Sequence, residues 1–281
     1  IAVVTDTGSN LSFEQAKELG IYLLPLQITI DETTYQDTLE ISTQDIYKEL
    51  AKGKMPKTSM ATYQKIYDLF EELKKDYDTI FAVPLTNGLS TNASTMQSIA
   101  RELEMKVHVI DMYATCALEK HVSIWIKKLV DEHKSSEEIL KIIQPAIDKS
   151  NSLILVKNLQ HLKRGGRLTP MAAALAGLLK IYPILHINKS TEGRIDVLNK
   201  VRTEKRADAY AIDKVMDDID IQHTHIYIIH SDFLEGANHF KKCFIEKGVP
   251  EQNIHIDYIS SVIAVHTGLG CIAIQYIREE N

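Results

Sequence analysis

The sequence predicts an α/β protein of two domains, and three observations carry that expectation. Short apolar runs alternate with amphipathic stretches through the first half, the alternation resumes after a polar stretch at Asp148–Ser152, and 281 residues is about twice the usual domain length. Ile1–Val4 is a brief continuous apolar run, the pattern of a strand buried on both faces. Ser12–Leu19 opens on a capping hydroxyl and reads as a helix, and Tyr22–Ile30 as an alternating extended run. Thr43–Lys52 and Tyr63–Lys75 are amphipathic at helical spacing. Thr79–Val83 is then a strand, Thr91–Glu104 a helix, Lys106–Ile110 a strand and Thr115–Glu132 a long helix. Strands separated by helices imply parallel crossovers, hence a mainly parallel N-terminal sheet with flanking helices. Ser135–Lys149 adds a helix before the polar boundary, which divides the chain into an N-terminal α/β domain at 1–150 and a C-terminal α/β domain at 151–281.

In the second half, Leu153–Val156 reads as a strand, followed by a short helix running into Gly165-Gly166. Met171–Leu179 is an alanine-rich helix, and Tyr182–Asn188 with Ile195–Val201 a strand pair around Asn188 and Gly193. Arg206–Asp218 is a helix, Thr224–His230 a strand, Gly236–Lys247 a helix and Asn253–Ser260 a strand. Thr267–Glu279 is expected to close the chain as a helix beginning at His-Thr-Gly-Leu-Gly.

With 44% hydrophobic and 25% charged residues, the composition excludes long disorder and collagen-like repeats. Cys116, Cys243 and Cys271 are far apart with no CxxC, which excludes a disulfide framework and a cysteine-rich metal site and fits a reducing compartment. The start, IAVVTDTGSN, lacks a basic region followed by an apolar core, so no signal peptide is read and the cytoplasm is expected. The most apolar stretch, Met171–Ile187, carries Lys180 and Pro183 and falls short of the ~20 residues a membrane span needs. Net charge is −6, but 157–206 holds 11 Lys and Arg against 3 Asp and Glu, while the remainder is at −14. That asymmetry suggests an acidic partner or an anionic headgroup. Nucleic acid is not expected, because Tyr182 alone offers an aromatic ring in the segment.

Asp6-Thr7-Gly8-Ser9 has the form of an aspartic-protease signature, but that chemistry needs a second Asp to share one proton, and no second copy exists. Its position, just past a first strand and before a helix, is where open α/β sheets bind ligands; helix capping by Ser9 or Ser12 is an equal reading. Thr86-Asn87-Gly88-Leu89-Ser90-Thr91 follows another strand and enters another helix, so unpaired N–H groups and hydroxyls suit an anion there. Pro56-Lys57-Thr58-Ser59 adds a further hydroxyl pair. Arg164-Gly165-Gly166-Arg167 is a tight turn inside the basic segment, and His266-Thr267-Gly268-Leu269-Gly270 puts an imidazole on a turn. No GxSxG, P-loop, GxGxxG or HExxH string is present.

Taken in order, VVTDTGSNL with Pro25–Ile30, Tyr35-Gln36-Asp37, PKTS, GLS at Gly88–Ser90, LQHLKRGGRL at Leu159–Leu168, LLKIYPIL, Lys200-Val201-Arg202 and HTGLG resemble the DegV family over essentially the whole chain. Members of that family include the FakB-type fatty-acid-binding subunits of bacterial fatty acid kinase. The resemblance implies two α/β domains with a long-chain fatty acid at the domain junction. Thr58 and Ser90 match the hydroxyls that contact the carboxylate, with Ser59 and Gly88 beside them; Arg167 and His266 match the basic groups near the headgroup and supply positive or donor character. Arg164 and Arg202 fall in the region implicated in docking an ATP-dependent fatty acid kinase subunit or in phosphate handling. The chain departs from the family pattern where Met60-Ala61-Thr62 follows Ser59, where Asn92 follows Ser90-Thr91, and at Ile181-Tyr182-Pro183. The expected function is therefore a cytoplasmic fatty-acid carrier with no catalytic residues, metal or cofactor. A hydrolase or phosphoryl-transfer enzyme using Ser90 and His266 is the alternative. The alanine-rich Met171–Leu179 helix is a candidate wall for the acyl chain, and close helix packing explains its small residues equally well.

Overall fold

A computed structural model describes residues 1–279. Its contacts divide the chain into two compact units, the first comprising Ile1–Ile143 with Ser260–Val265 and the second Gln144–Ile259 with the chain from His266 onward.

The first unit begins with β1 (Ala2–Asp6) and α1 (Phe13–Leu19). Ser12 rather than Ser9 caps α1, in a reciprocal capping box with Gln15 that stabilises such a helix start by about 1 kcal/mol. The extended run that follows is two strands, β2 (Tyr22–Leu24) and β3 (Gln27–Ile30), and then β4 (Thr33–Gln36). Next come α2 (Thr43–Ala51), β5 (Lys57–Ser59), α3 (Tyr63–Leu73), β6 (Thr79–Val83), α4 (Asn92–Glu102), β7 (Lys106–Val109), α5 (Ala117–Asp131) and α6 (Ser136–Lys149). β2, β1, β6 and β7 form a parallel sheet in that order, as the strand–helix alternation requires. β4, β3 and β5 form a small antiparallel sheet. β4 and β5 are too short and too polar to be recognised as strands by periodicity. Ile66, Phe70, Ile80, Met96 and Ile99 form the fully buried centre of the core.

The second unit contains β8 (Asn151–Leu155), α7 (Leu159–Arg164), α8 (Pro170–Leu175), β9 (Tyr182–Ile187), β10 (Asp196–Val201), α9 (Glu204–Asp218), β11 (Thr224–His230), α10 (Leu234–Glu246) and β12 (Ile254–Tyr258). After α11 (Ser261–Thr267) the chain ends in β13 (Ile272–Arg278). The closing helix expected from Thr267 onward is therefore a strand. Ile272-Ala-Ile-Gln-Tyr-Ile runs centrally in a six-stranded mixed sheet, ordered β10-β9-β8-β13-β11-β12, and is buried on both faces, so its apolar run lacks the alternation that identifies a half-exposed strand. α8 is likewise shorter than the sequence suggests: the helix stops at Leu175, and Gly177 lies just beyond at φ +96°. α9 and α10 contribute Ala211, Val215, Phe240 and Phe244 to a core with Ile226, Ile228 and Ile274.

Candidate functional site

In the first unit the DTGS string forms a buried polar nest at the end of β1. Asp6 is fully buried; its Oδ1 accepts from Gly8 N at 2.8 Å, and its Oδ2 from Leu85 N at 2.9 Å and Asn92 Nδ2 at 2.7 Å. One carboxylate oxygen thus holds both ends of the loop that carries Gly88 and Ser90. Within that loop Leu89 N and Ser90 N both donate to Thr86 O at 3.1 Å, and Ser90 Oγ accepts from Asn92 N at 3.2 Å. Thr58 lies on β5 opposite Ile28 of β3, and the exposed Ser59 donates its hydroxyl to Gln27 Oε1 at 3.0 Å. Met60 Sδ accepts the hydroxyls of Thr91 at 3.3 Å and Thr95 at 3.4 Å, which brings the end of β5 alongside the start of α4. Thr91 therefore makes no side-chain cap on α4. Hydroxyls and helix-start N–H groups of this kind are suited to an anion.

The Asp of the DTGS string has a carboxyl neighbour, which motif reading did not find. Glu119 of α5 is fully buried beside Asp6. The available signal was its place on the helix, four and seven residues from Ser123 and Ile126 on the buried face.

The second unit assembles its candidate residues through glycines. A Cβ built at Gly165 would stand 2.9 Å from His266 Nδ1, one at Gly268 3.1 Å from the His161 ring, and one at Gly270 2.7 Å from Lys157 Cγ. Ile272 pairs with Leu155 one step further. Residues 155–165 and 266–272 thus run antiparallel in close contact, with His266 at one end and Ile272 at the other. Arg167 is half-buried and donates from Nη1 to Gly165 O at 2.7 Å, while Arg164 and Arg202 are exposed. Burial, with the nearby Arg167 charge, pushes the His266 pKa down to about 4, so the imidazole is neutral at pH 7 and acts as a donor or acceptor rather than as a positive charge. Ser231 fixes the turn after His266: its hydroxyl donates to Gly268 O at 2.7 Å and accepts from Cys271 N at 3.0 Å, and its carbonyl accepts from Gly270 N at 2.7 Å.

A cavity of about 380 Å³ opens in the same unit beside Gly270 and Ile272. Leu155, Pro183, Ala207, Phe233, Phe240 and Ile272 supply its apolar lining, and Lys157, Glu204 and Asp208 lie among its polar residues. None of Met171–Leu179 lines it, so the alanine-rich segment expected as a wall takes no part in this cavity. Met171, Leu178 and Leu179 are exposed instead. Among the described residues no group of three His, Cys, Asp or Glu side chains is placed to hold a metal ion, and no helix is long and apolar enough to cross a membrane.

The model of the family described as "uncharacterised protein, DegV family" matches residues 1–279. A DegV domain-containing protein of Caldanaerobacter subterraneus is 32% identical over 243 residues, covering 85% of each chain. Among solved structures, a fatty acid binding DegV family protein from Streptococcus agalactiae superposes with a TM-score of 0.91 at 29% identity over 99% of both chains. DegV, a fatty acid binding protein from Bacillus subtilis, gives 0.86 at 27% identity over 99% of this chain and 98% of that one. With the family pattern matched from end to end and the same fold around it, this chain belongs to the DegV family.

Proposed function

We propose that this protein binds a long-chain fatty acid and presents its carboxylate to a separate ATP-dependent fatty acid kinase. The observation that carries the reading is the apolar cavity beside Leu155, Lys157, Gly270 and Ile272, at one end of the antiparallel contact of 155–165 with 266–272 whose other end is His266. An acyl chain gains about 0.8 kcal/mol per buried CH₂, so such a cavity supplies affinity while a few polar groups orient the head. The fatty-acid binding named for the Streptococcus agalactiae and Bacillus subtilis proteins supports the same ligand class here. In this reading Thr58, Ser59, Gly88 and Ser90 are candidate carboxylate ligands, and Arg167 and His266 are candidate headgroup residues. Arg164 and Arg202, both exposed, are available to a partner and form the kinase contact. Each unit has its own hydrophobic core.

The test is native mass spectrometry of the wild type and of a Thr58→Val/Ser90→Ala double variant after incubation with C14 to C18 acids. Each lost hydrogen bond to a charged head is worth about 1.5–3 kcal/mol, so affinity falls on the order of 100-fold or more in a folded double variant. Unchanged occupancy would remove the headgroup assignment. Turnover of an activated acyl ester by the wild type, abolished in Ser90→Ala, would replace the carrier reading with a hydrolase.

A further inference from the structure

Asp6 and Glu119 are both inaccessible to solvent in the first unit, and a Cβ built at Gly8 would meet Asp6 Oδ1 at 2.7 Å and Glu119 Oε2 at 3.1 Å, so the two carboxyls stand side by side. Two ionised carboxylates in such a place repel strongly, so the pair is stable when it holds one proton. The surrounding donors decide which residue has it. Asp6 accepts three N–H groups, from Gly8, Leu85 and Asn92, as an ionised carboxylate does. Among the described residues Glu119 receives no N–H. Its Oε1 lies 3.2 Å from Thr5 Oγ1, but that hydroxyl also lies 2.7 Å from Val83 O, which can only accept. A hydroxyl has one proton, and the carbonyl takes it; the contact with Glu119 is then a hydrogen bond only if Glu119 is the donor. Glu119 Oε2 has no donor among the described residues. Whether the proton sits on Oε1 toward Thr5 or on Oε2 toward Asp6, Glu119 is neutral.

We propose that ionised Asp6 and protonated Glu119 form a one-proton pair whose function is to fix the loop Leu85–Asn92, which carries Gly88 and Ser90. Asp6 is a positioning residue, acting through Leu85 N and Asn92 Nδ2 at the two ends of that loop. Burial raises both pKa values, that of Glu119 well above its ordinary value, while the N–H groups of Leu85 and Gly8 and the Asn92 amide pull that of Asp6 back down, in agreement with the donor count. The other titratable groups facing the pair are Cys116 at the start of α5 and Asp37; residues 85–92 contribute none. The significance of the loop for ligand binding rests on the carrier reading, whereas the pair itself does not.

The experiment has three readouts on the full chain: the ¹³C shift of the Glu119 carboxyl carbon, hydrogen exchange of the Gly88–Ser90 amides relative to intrinsic rates, and retention of palmitate. At pH 7 the carboxyl carbon should report the protonated acid. As alkaline pH removes that proton, loop exchange should accelerate by about tenfold or more and palmitate should be released. Glu119→Gln, which keeps a neutral donor, should rescue slow exchange at high pH, a result that packing alone does not give. Asp6→Asn turns an NH₂ toward one set of N–H donors and should open the loop at pH 7. A carboxylate signal from Glu119 at pH 7, or an alkaline limb that persists in Glu119→Gln, overturns the proposal; neither depends on Asp6→Asn folding. Palmitate bound at no pH, with the other two readouts as expected, overturns the carrier reading and upholds the pair.

Discussion

The loop that carries Ser90 and the turn that carries His266 are held by opposite means. Leu85–Asn92 is fixed by a buried carboxylate, with a second carboxyl beside it and Thr5, Thr7 and Ser9 also buried around them. The turn after His266 is fixed by the neutral hydroxyl of Ser231 and by glycines that let side chains of residues 157–161 lie against its backbone. A charged acceptor holds several donors at once and holds them more strongly, but its grip depends on the protons around it. A hydroxyl is weaker and insensitive to pH across the ordinary range.

Deleting the charged clamp should be the most damaging change. Asp6→Ala leaves Gly8 N, Leu85 N and the Asn92 amide without their buried acceptor, at a cost of about 3–5 kcal/mol, read as a lower midpoint in urea. Ser231→Ala should cost less, about 1–3 kcal/mol, with the loss equal at pH 6 and pH 9. If the Ser231→Ala loss varies with pH, the contrast between the two clamps fails.

Gly165→Ala isolates the glycine contact. Gly165 has an ordinary helical φ of −62°, so alanine introduces no positive-φ strain, and the nearest atoms its methyl meets belong to His266 and Leu162 O. The expected result is a displaced imidazole, weaker palmitate binding by about tenfold and a stability change near 1 kcal/mol. Unaltered binding would detach His266 from the headgroup.

The remaining effect, partly offset by a second buried group, is an acid limb of stability. His266 has a folded pKa near 4 against 6.5 unfolded, so the unfolded chain takes up the proton first; the stabilisation is complete above pH 6.5 and is lost as pH falls toward 4. Asp37, pushed up to about 6 by burial, works in the other direction, its contribution being complete below 3.8 and lost as pH rises through 6. His266→Gln should therefore flatten the decline of thermal midpoint between pH 6.5 and 4, and a decline of the same steepness would assign it to other groups.

Much of the architecture is legible along the chain because hydrophobic period and capping are local. Thr79–Val83 and Thr224–His230 read as strands at their observed limits, and most helices lie within a few residues of their observed ends. The hydroxyl loops after β1 and β6 were also visible, since chain order alone puts them at strand ends that enter helices. Ile272–Arg278 was not, because a run buried on both faces has no period to separate strand from helix. Nor was the cavity, whose walls come from β8, β9, α9, α10 and β13 and meet only when the sheet forms.

The sequence by itself determined the α/β class, the parallel order of the first sheet and the residue types available to bind an anion, because these depend on neighbours a few positions apart. Tertiary structure alone decided that Ser260–Val265 packs with the first unit, that 155–165 runs against 266–272, and that Glu119 stands beside Asp6. The protonation of such groups follows from burial and from donors as far as 86 positions away, which no local pattern contains.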